Sequence, residues 1–158
     1  MRPTAGSVPS RGAARTATIA GMALALTLTG VPVGSAAVSG GGCANPASPL
    51  KLANGTKVGE AGGCISGTRN GRGQHTVHPD AYVKLTRVLA NCSVVVKLYE
   101  FRGRVTEKKY GCPPADGRSR RYGPVSTGVG PGLYHSEVWV HSPYVLGWSR
   151  SPDVRITG

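Results

Sequence analysis

The sequence predicts an all-β domain: a small antiparallel β-sandwich with two disulfides, preceded by a cleavable export signal. Three observations carry that expectation. The 24 Gly and 12 Pro break the 158 residues into short runs, and such punctuation favours strands joined by turns over helices. Beyond the leader no window sustains the 3.6-residue apolar period of an amphipathic helix, whereas several segments alternate apolar and polar residues. The 4 Cys (Cys43, Cys64, Cys92, Cys112) all follow the leader, and an even count in a small exported domain reads as a pair of disulfides.

The leader is residues 1–37. Arg2, Arg11 and Arg15 form a positive start with no acidic residue, Ile19 to Val33 is apolar, and Ser35-Ala36-Ala37 supplies a small-residue exit. These are the three parts of a secretory signal. A membrane span needs about 20 apolar residues, and this run is shorter and interrupted by Gly30 and Pro32. The expected location is therefore extracellular, with the exported form starting at Ala37 or Val38 and carrying no transmembrane segment. Lipid attachment at Cys43 is not expected, because Gly40-Gly41-Gly42 supplies no aliphatic residue before it. The whole chain has 19 Lys+Arg against 7 Asp+Glu. Three of the Arg leave with the leader, so the remainder keeps a net charge of +9. A surface of that sign attracts polyanions and also keeps a protein soluble.

Residues 38–79 read as a loop-rich N-terminal segment and residues 80–158 as the sandwich core. In the first part, Leu50-Lys51-Leu52 and Thr56-Lys57-Val58 flank Asn54-Gly55, a strong hairpin signal. A Gly-rich stretch with Arg69 and Arg72 follows, and His75 and His78 are expected in a loop. From Asp80 the pattern tightens: Ala81, Val83 and Leu85 alternate with polar partners, as in a half-buried strand. Cys92–Leu98 and Val105–Tyr110 are the arms of a hairpin. With its tip at Phe101-Arg102-Gly103 and Gly103 closing a three-residue loop, Cys92 faces Cys112, Val96 faces Lys108, Lys97 faces Glu107, Tyr99 faces Val105 and Glu100 faces Arg104. Opposite-charge and aromatic–β-branched pairs of this kind contribute about 0.2–1 kcal/mol each. This register predicts the disulfide Cys92–Cys112, and by elimination Cys43–Cys64. Charges on both faces make the second arm an edge strand, where charge discourages sheet-to-sheet association. Residues 113–132 are expected to be mostly loop, with a short strand at Tyr122–Val125. The segment Leu133–His141 alternates clearly, burying Tyr134, Val138 and Val140 and presenting His135, Glu137, Trp139 and His141. A final strand covers Val154–Thr157.

Gly132-Leu133-Tyr134, followed by alternating Val138 and Val140, resembles the penultimate strand of immunoglobulin-like sandwiches, in which a Tyr at the strand start ties down the corner through its hydroxyl. The resemblance implies an immunoglobulin-like sandwich and no particular activity. The overall make-up is similar to that of small secreted β-proteins of high-GC Gram-positive bacteria. Tyr134-His135-Ser136-Glu137 and Arg155-Ile156-Thr157-Gly158 also resemble stretches of microbial guanyl-specific ribonucleases. That likeness implies a catalytic carboxylate at Glu137 and a phosphate-binding Arg155. Ser136 is an insertion in that pattern, the family's downstream His has no counterpart before Gly158, and its helix is missing. Streptomycete protease inhibitors are similar in size and disulfide number, but their Cys-flanked reactive loop is not found here.

Chemistry-bearing residues are sparse. His135, Glu137 and His141 share one strand face, yet a metal site needs three or four ligands and a supporting shell. No C-x-x-C pair points to zinc or redox chemistry, and no G-x-S-x-G elbow is present. Asp80, Asp116 and Asp153 sit beside turn residues. No cofactor or metal is expected. The stretch from Lys97 to Arg121 is richer: Lys97, Arg102, Arg104, Lys108, Lys109, Arg118, Arg120 and Arg121 outnumber Glu100, Glu107 and Asp116, with Phe101, Tyr110 and Tyr122 interleaved. Basic residues among aromatics suit contact with a polyanion. Trp139, Tyr144 and Trp148 form a candidate stacking platform for sugars. The sequence thus predicts a secreted, non-catalytic, basic binding or surface-associated protein whose partner is a polyanion such as an anionic cell-wall polymer. The alternative is a small ribonuclease-like hydrolase centred on His135 and Glu137.

Overall fold

The computed structural model describes residues 37–158, so the expected export signal lies outside the described residues except for Ala37. These residues form twelve strands and no helix: β1 (Val38–Gly40), β2 (Gly42–Cys43), β3 (Ser48–Lys51), β4 (Lys57–Arg69), β5 (His75–Leu85), β6 (Ser93–Glu100), β7 (Gly103–Gly111), β8 (Ser119–Tyr122), β9 (Thr127–Val129), β10 (Gly132–His141), β11 (Leu146–Arg150) and β12 (Val154–Ile156). They make two six-stranded sheets. The first runs β1-β12-β10-β6-β7, with β11 also paired to β10. The second runs β2-β4-β5-β8, with β3 paired to β4 and β9 to β5. All pairings are antiparallel. Among the described residues no helix is long and apolar enough to cross a membrane.

The alternation that made these segments strands also makes the core. Val94, Val96 and Leu98 of β6 and Tyr134, Val138 and Val140 of β10 are buried, and so are Val77, Ala81, Val83 and Leu85 of β5. Residues of both sheets join in one cluster around Leu50, Val58, Val83, Val96 and Val138, and in a second around Ile65, Val77, Leu98, Val154 and Ile156. The architecture is therefore a sandwich-like pair of sheets sharing an interior lined mainly by Val, Leu and Ile, which accounts for the interior strand alternation. Both expected disulfides are present. Cys43 faces Cys64 across β2 and β4, and Cys92 joins Cys112 just beyond the hairpin pair Ser93–Gly111.

A polar tie crosses this interior. Ser136, fully buried in β10, donates its hydroxyl to the Cys64 carbonyl of β4 at 2.6 Å. Its backbone N–H donates to Ser151 Oγ at 2.9 Å, and Ser151 N–H donates back to the Ser136 carbonyl at 2.9 Å. Gly63, beside Cys64, permits this approach: a Cβ there would lie 3.0 Å from the Ser149 carbonyl oxygen and 3.1 Å from Ser151 N. At the start of β10 the Tyr134 hydroxyl donates to the Gly130 carbonyl at 3.0 Å, with its ring folded against Gly132, where a Cβ would come within 3.0 Å of it.

Several expectations are corrected. Residues 38–79, expected to be loop-rich, carry β1 to β4 and the first half of β5, and β4 alone is 13 residues long. Its repeated Gly residues hide the apolar alternation that marks a strand, because a Gly at an inward position buries backbone without showing an apolar side chain. The Asn54-Gly55 hairpin does form, between β3 and β4, with Asn54 Oδ1 accepting the Thr56 N–H at 3.1 Å. His75 and His78 lie in β5 rather than in a loop. The β6–β7 register holds from Ser93–Gly111 through Leu98–Thr106 and then shifts. Beyond the shift Tyr99 faces Arg104 and Glu100 faces Gly103, so the tip is the two-residue turn Phe101-Arg102 and the expected Glu100–Arg104 pair does not form. Residues 113–132 carry β8 and β9, with β8 at Ser119–Tyr122 instead of Tyr122–Val125.

Candidate functional site

The eight cations expected to act together are divided by the fold. Lys97, Arg104 and Lys109 lie in β6 and β7 of the first sheet, Arg102 is at the hairpin tip, and Arg120 and Arg121 belong to β8 of the second sheet. Three of them are already paired. Arg104 binds Glu107 at 2.6 Å, Arg120 binds Asp116 at 2.7 Å, and Arg121 donates through Nε to Asp80 at 2.6 Å. Asp80 is not a turn residue; it stands in β5 with its side chain 7% exposed, and Arg121 covers it while lying over the Tyr82 ring. Lys97 holds its ammonium 4.8 Å from the centre of the Trp139 ring, a cation–π contact. Among the described residues Arg102, Lys108, Lys109 and Arg118 have no ion-pair partner within 4.0 Å.

Lys108, Lys109 and Arg118 lie on or just before the edge strands β7 and β8, and Arg102 lies at the far tip of the β6–β7 hairpin. The edges β7 and β8 are brought together by Tyr110 and Tyr122, whose rings meet edge to face at 5.3 Å. Lys108 lies over Tyr110 at 5.5 Å, Lys109 is its neighbour in the chain, and Arg118 immediately precedes β8. Phe101, 91% exposed, stands beside Arg102 at the tip of the same hairpin. Burial raises the pKa of both Tyr110 and Tyr122, so the two phenols stay neutral at physiological pH and add no negative charge there.

The outer face of the first sheet holds a denser array. On β10, His135 faces Tyr99 of β6, Glu137 lies between Lys97 of β6 and Arg150 of β11, and Trp139 lies between Val95 and Trp148. Tyr99 stacks on His135 at 5.3 Å and 11° between planes. Trp139 stacks on Trp148 at 5.7 Å and 17°, and on His141 at 5.9 Å and 10°. The indole N–H of Trp139 donates to Glu137 Oε2 at 2.8 Å. Arg150 binds Asp153 at 2.7 Å. His135 Nε2 lies 3.7 Å from Glu137 Oε1, longer than a hydrogen bond, and its Nδ1 is 4.0 Å from Asp153. Desolvation, and then the Arg150 charge, push the His135 pKa below its usual value, against the pull of Glu137 and Asp153. The ring is therefore favoured in its neutral form. Beside Trp148 an open groove of about 550 Å³ is lined by Ala44, Asn45, Pro46, Ser48, Arg150 and Pro152. Tyr144, expected in the aromatic platform, lines a different cavity with Leu52, Val58 and Arg87.

Among the described residues no group of three or more His, Cys, Asp or Glu is placed to hold a metal ion. His78, on the outer face of the second sheet, lies 2.9 Å from Thr68 Oγ1 and 2.8 Å from Ser126 Oγ. It ties the segment before β9 to the sheet, and neither hydrogen-bond partner is a carboxylate that would orient it as a catalytic base. Sequence reasoning missed β11, and with it the partner that stacks on Trp139. The signal was present as Leu146, Trp148 and Arg150 alternating with Gly147 and Ser149, in a run too short and too Gly-marked to stand out. No protein-family model matches this chain, and no curated protein matches it.

Proposed function

We propose that this chain is a secreted immunoglobulin-like β-sandwich, exported by its N-terminal signal, that works by binding an anionic polymer such as a cell-wall polymer. The observation that carries this reading is that Arg102, Lys108, Lys109 and Arg118, on or beside the edge strands β7 and β8, have no ion-pair partner among the described residues. Cations already neutralised by Asp80, Asp116 and Glu107 contribute little to a polyelectrolyte contact, whereas unpaired ones displace its counterions. Two disulfides fit an oxidising compartment. The Tyr134 hydroxyl bond to the Gly130 carbonyl resembles the corner tie of immunoglobulin-like sandwiches and supports that reading. The resemblance to small secreted β-proteins of high-GC Gram-positive bacteria supports the same reading. The hydrolase reading stands second, since the Glu137 carboxylate already accepts the Trp139 indole N–H and lacks a hydrogen bond to His135.

The test is co-sedimentation with isolated bacterial cell walls over a salt series. Binding should fall steeply as salt rises. Reversing charge at Arg102, Lys108 and Arg118 together should abolish it, and reversing Arg120 and Arg121 should disturb it less. Salt-independent retention, or equal loss in both triple and double variants, overturns the proposal. RNA cleavage that ends with Glu137→Gln would establish the hydrolase instead.

A further inference from the structure

We propose that the groove beside Trp148 is a subsite for a pyranose ring of a neutral glycan, with Trp148 as its stacking wall and Arg150, Asn45 and Ser48 as its hydroxyl-binding groups. Stacking on Trp139 covers one face of the Trp148 indole. Trp148 remains 50% exposed and lines the groove, so its other face is open to a ligand. That wall is pre-ordered. Trp139 supports it from behind, fixed in turn by the Glu137 hydrogen bond at 2.8 Å, the Lys97 ammonium at 4.8 Å and the His141 ring at 5.9 Å. A rigid indole loses little conformational freedom when a ligand stacks on it, which favours binding. The C–H face of a pyranose is apolar and flat enough to cover an indole, while its rim of hydroxyls needs paired donors and acceptors. Arg150, held by Asp153 at 2.7 Å, lines the groove with N–H donors, and Asn45 and Ser48 line it with side chains that both donate and accept.

The charges decide between a sugar and a nucleobase, the other flat ligand an indole stacks on. A nucleic acid brings a phosphate per base and needs unpaired cations along its path. Here Arg150 is paired with Asp153 and Lys97 faces Glu137 across β6 and β10, so these two cations each have a carboxylate beside them. A neutral ligand meets no such conflict. This inference is independent of the polyanion-binding cations, which lie on or beside the β7 and β8 edges.

Both Trp of the chain belong to this stack, so intrinsic fluorescence reports on the site directly. The experiment titrates the purified exported protein with the hexasaccharides of β-linked glucose and of β-linked N-acetylglucosamine, at a salt concentration that suppresses polyanion binding. A saturable quench or blue shift with at least one of them is expected, and the two arms distinguish hexose from N-acetylhexosamine as the recognised unit. By calorimetry, Trp148→Ala should weaken that binding at least tenfold and Arg150→Gln severalfold, with unfolding midpoints near that of the parent. Charge reversal at Arg102, Lys108 and Arg118 should leave it unchanged. Should Trp148→Ala fail to fold, Trp148→Phe and Arg150→Gln carry the test. The proposal is overturned if neither hexasaccharide binds, if Trp148 and Arg150 variants bind like the parent, or if a single-stranded oligonucleotide binds in a Trp148-dependent manner.

Discussion

Removing the hydroxyl of Ser136 should destabilise the fold more than its size suggests. The Oγ atom belongs to a fully buried residue and donates to the Cys64 carbonyl of the opposite sheet at 2.6 Å. Ser136→Ala removes one hydrogen bond and leaves that carbonyl facing a small dry void. A lost bond of this kind with a buried partner left behind costs about 1–3 kcal/mol. Ser136→Val should do worse. One of its methyl groups takes the place of Oγ at 2.6 Å from an oxygen, where a carbon needs about 3.3 Å or more. Gly63 is held equally tightly, so β4 cannot retreat without disturbing Ser149 and Ser151. Overpacking adds about 1–3 kcal/mol to the lost bond. For a domain of about 120 residues, unfolding entropy near 0.25 kcal/mol per degree turns a loss of about 2 kcal/mol into a drop of about 8 °C in Tm. Calorimetric melting of parent, Ser136→Ala and Ser136→Val, with disulfides intact, measures this. An Ala variant melting within a degree of the parent, or a Val variant more stable than the Ala one, refutes the cross-sheet tie.

Three further outcomes are expected. Tyr134→Phe, which loses the bond to the Gly130 carbonyl at 3.0 Å, should cost about 1 kcal/mol in urea unfolding; an unchanged midpoint would remove the corner tie. Replacing Cys92 and Cys112 together by Ser opens a link across 20 residues and should cost roughly 3 kcal/mol on the chain-entropy account, with a denaturation midpoint equal to the parent's counting against it. His135 has a folded pKa below its unfolded value of 6.5, first because burial disfavours its charged form. The unfolded chain then binds the proton more readily, so this contribution to stability is complete above about pH 6.5 and is lost as pH falls through the lowered folded value. Urea unfolding of parent and His135→Gln at about pH 7 and about pH 5 should show a shallower pH dependence in the variant; superimposed profiles would contradict it.

How much of this was legible in the sequence depended on how each residue signals its surroundings. The β6–β7 pairing could be read because one register brings Cys92 to Cys112 and Lys97 to Glu107. The shift at Leu98–Tyr99 could not, because a bulge is a backbone event with no composition of its own. β4 was hidden by its four Gly residues, of which Gly59, Gly63 and Gly67 serve close packing and so display no apolar pattern. The basic residues were visible as a cluster, but proximity along the chain did not reveal that Arg120 and Arg121 would turn to Asp116 and Asp80. Trp139 was placed on the exposed face correctly. Its stack with Trp148 needed the long-range β10–β11 pairing, which local alternation cannot supply.

The pairing of β1 with β12 bears on the order in which the chain must assemble. Val38 meets Ile156 and Gly40 meets Val154, and Thr157 N–H donates to the Ala37 carbonyl at 3.0 Å. The β3–β4 and β6–β7 hairpins close over short loops and are entropically cheap to form early. β12 has only three residues and rests between β10 and β1, so it gains its full hydrogen bonding only when segments more than a hundred residues apart have met. Its long sequence separation makes that step a late one on contact-order grounds. Until it takes place, the outer backbone of β12 is an open template, and the Val38–Gly40 segment of another copy fits it as well as the chain's own. Refolding at high concentration therefore favours exchange of β1 between molecules, a route to dimers built from native contacts alone.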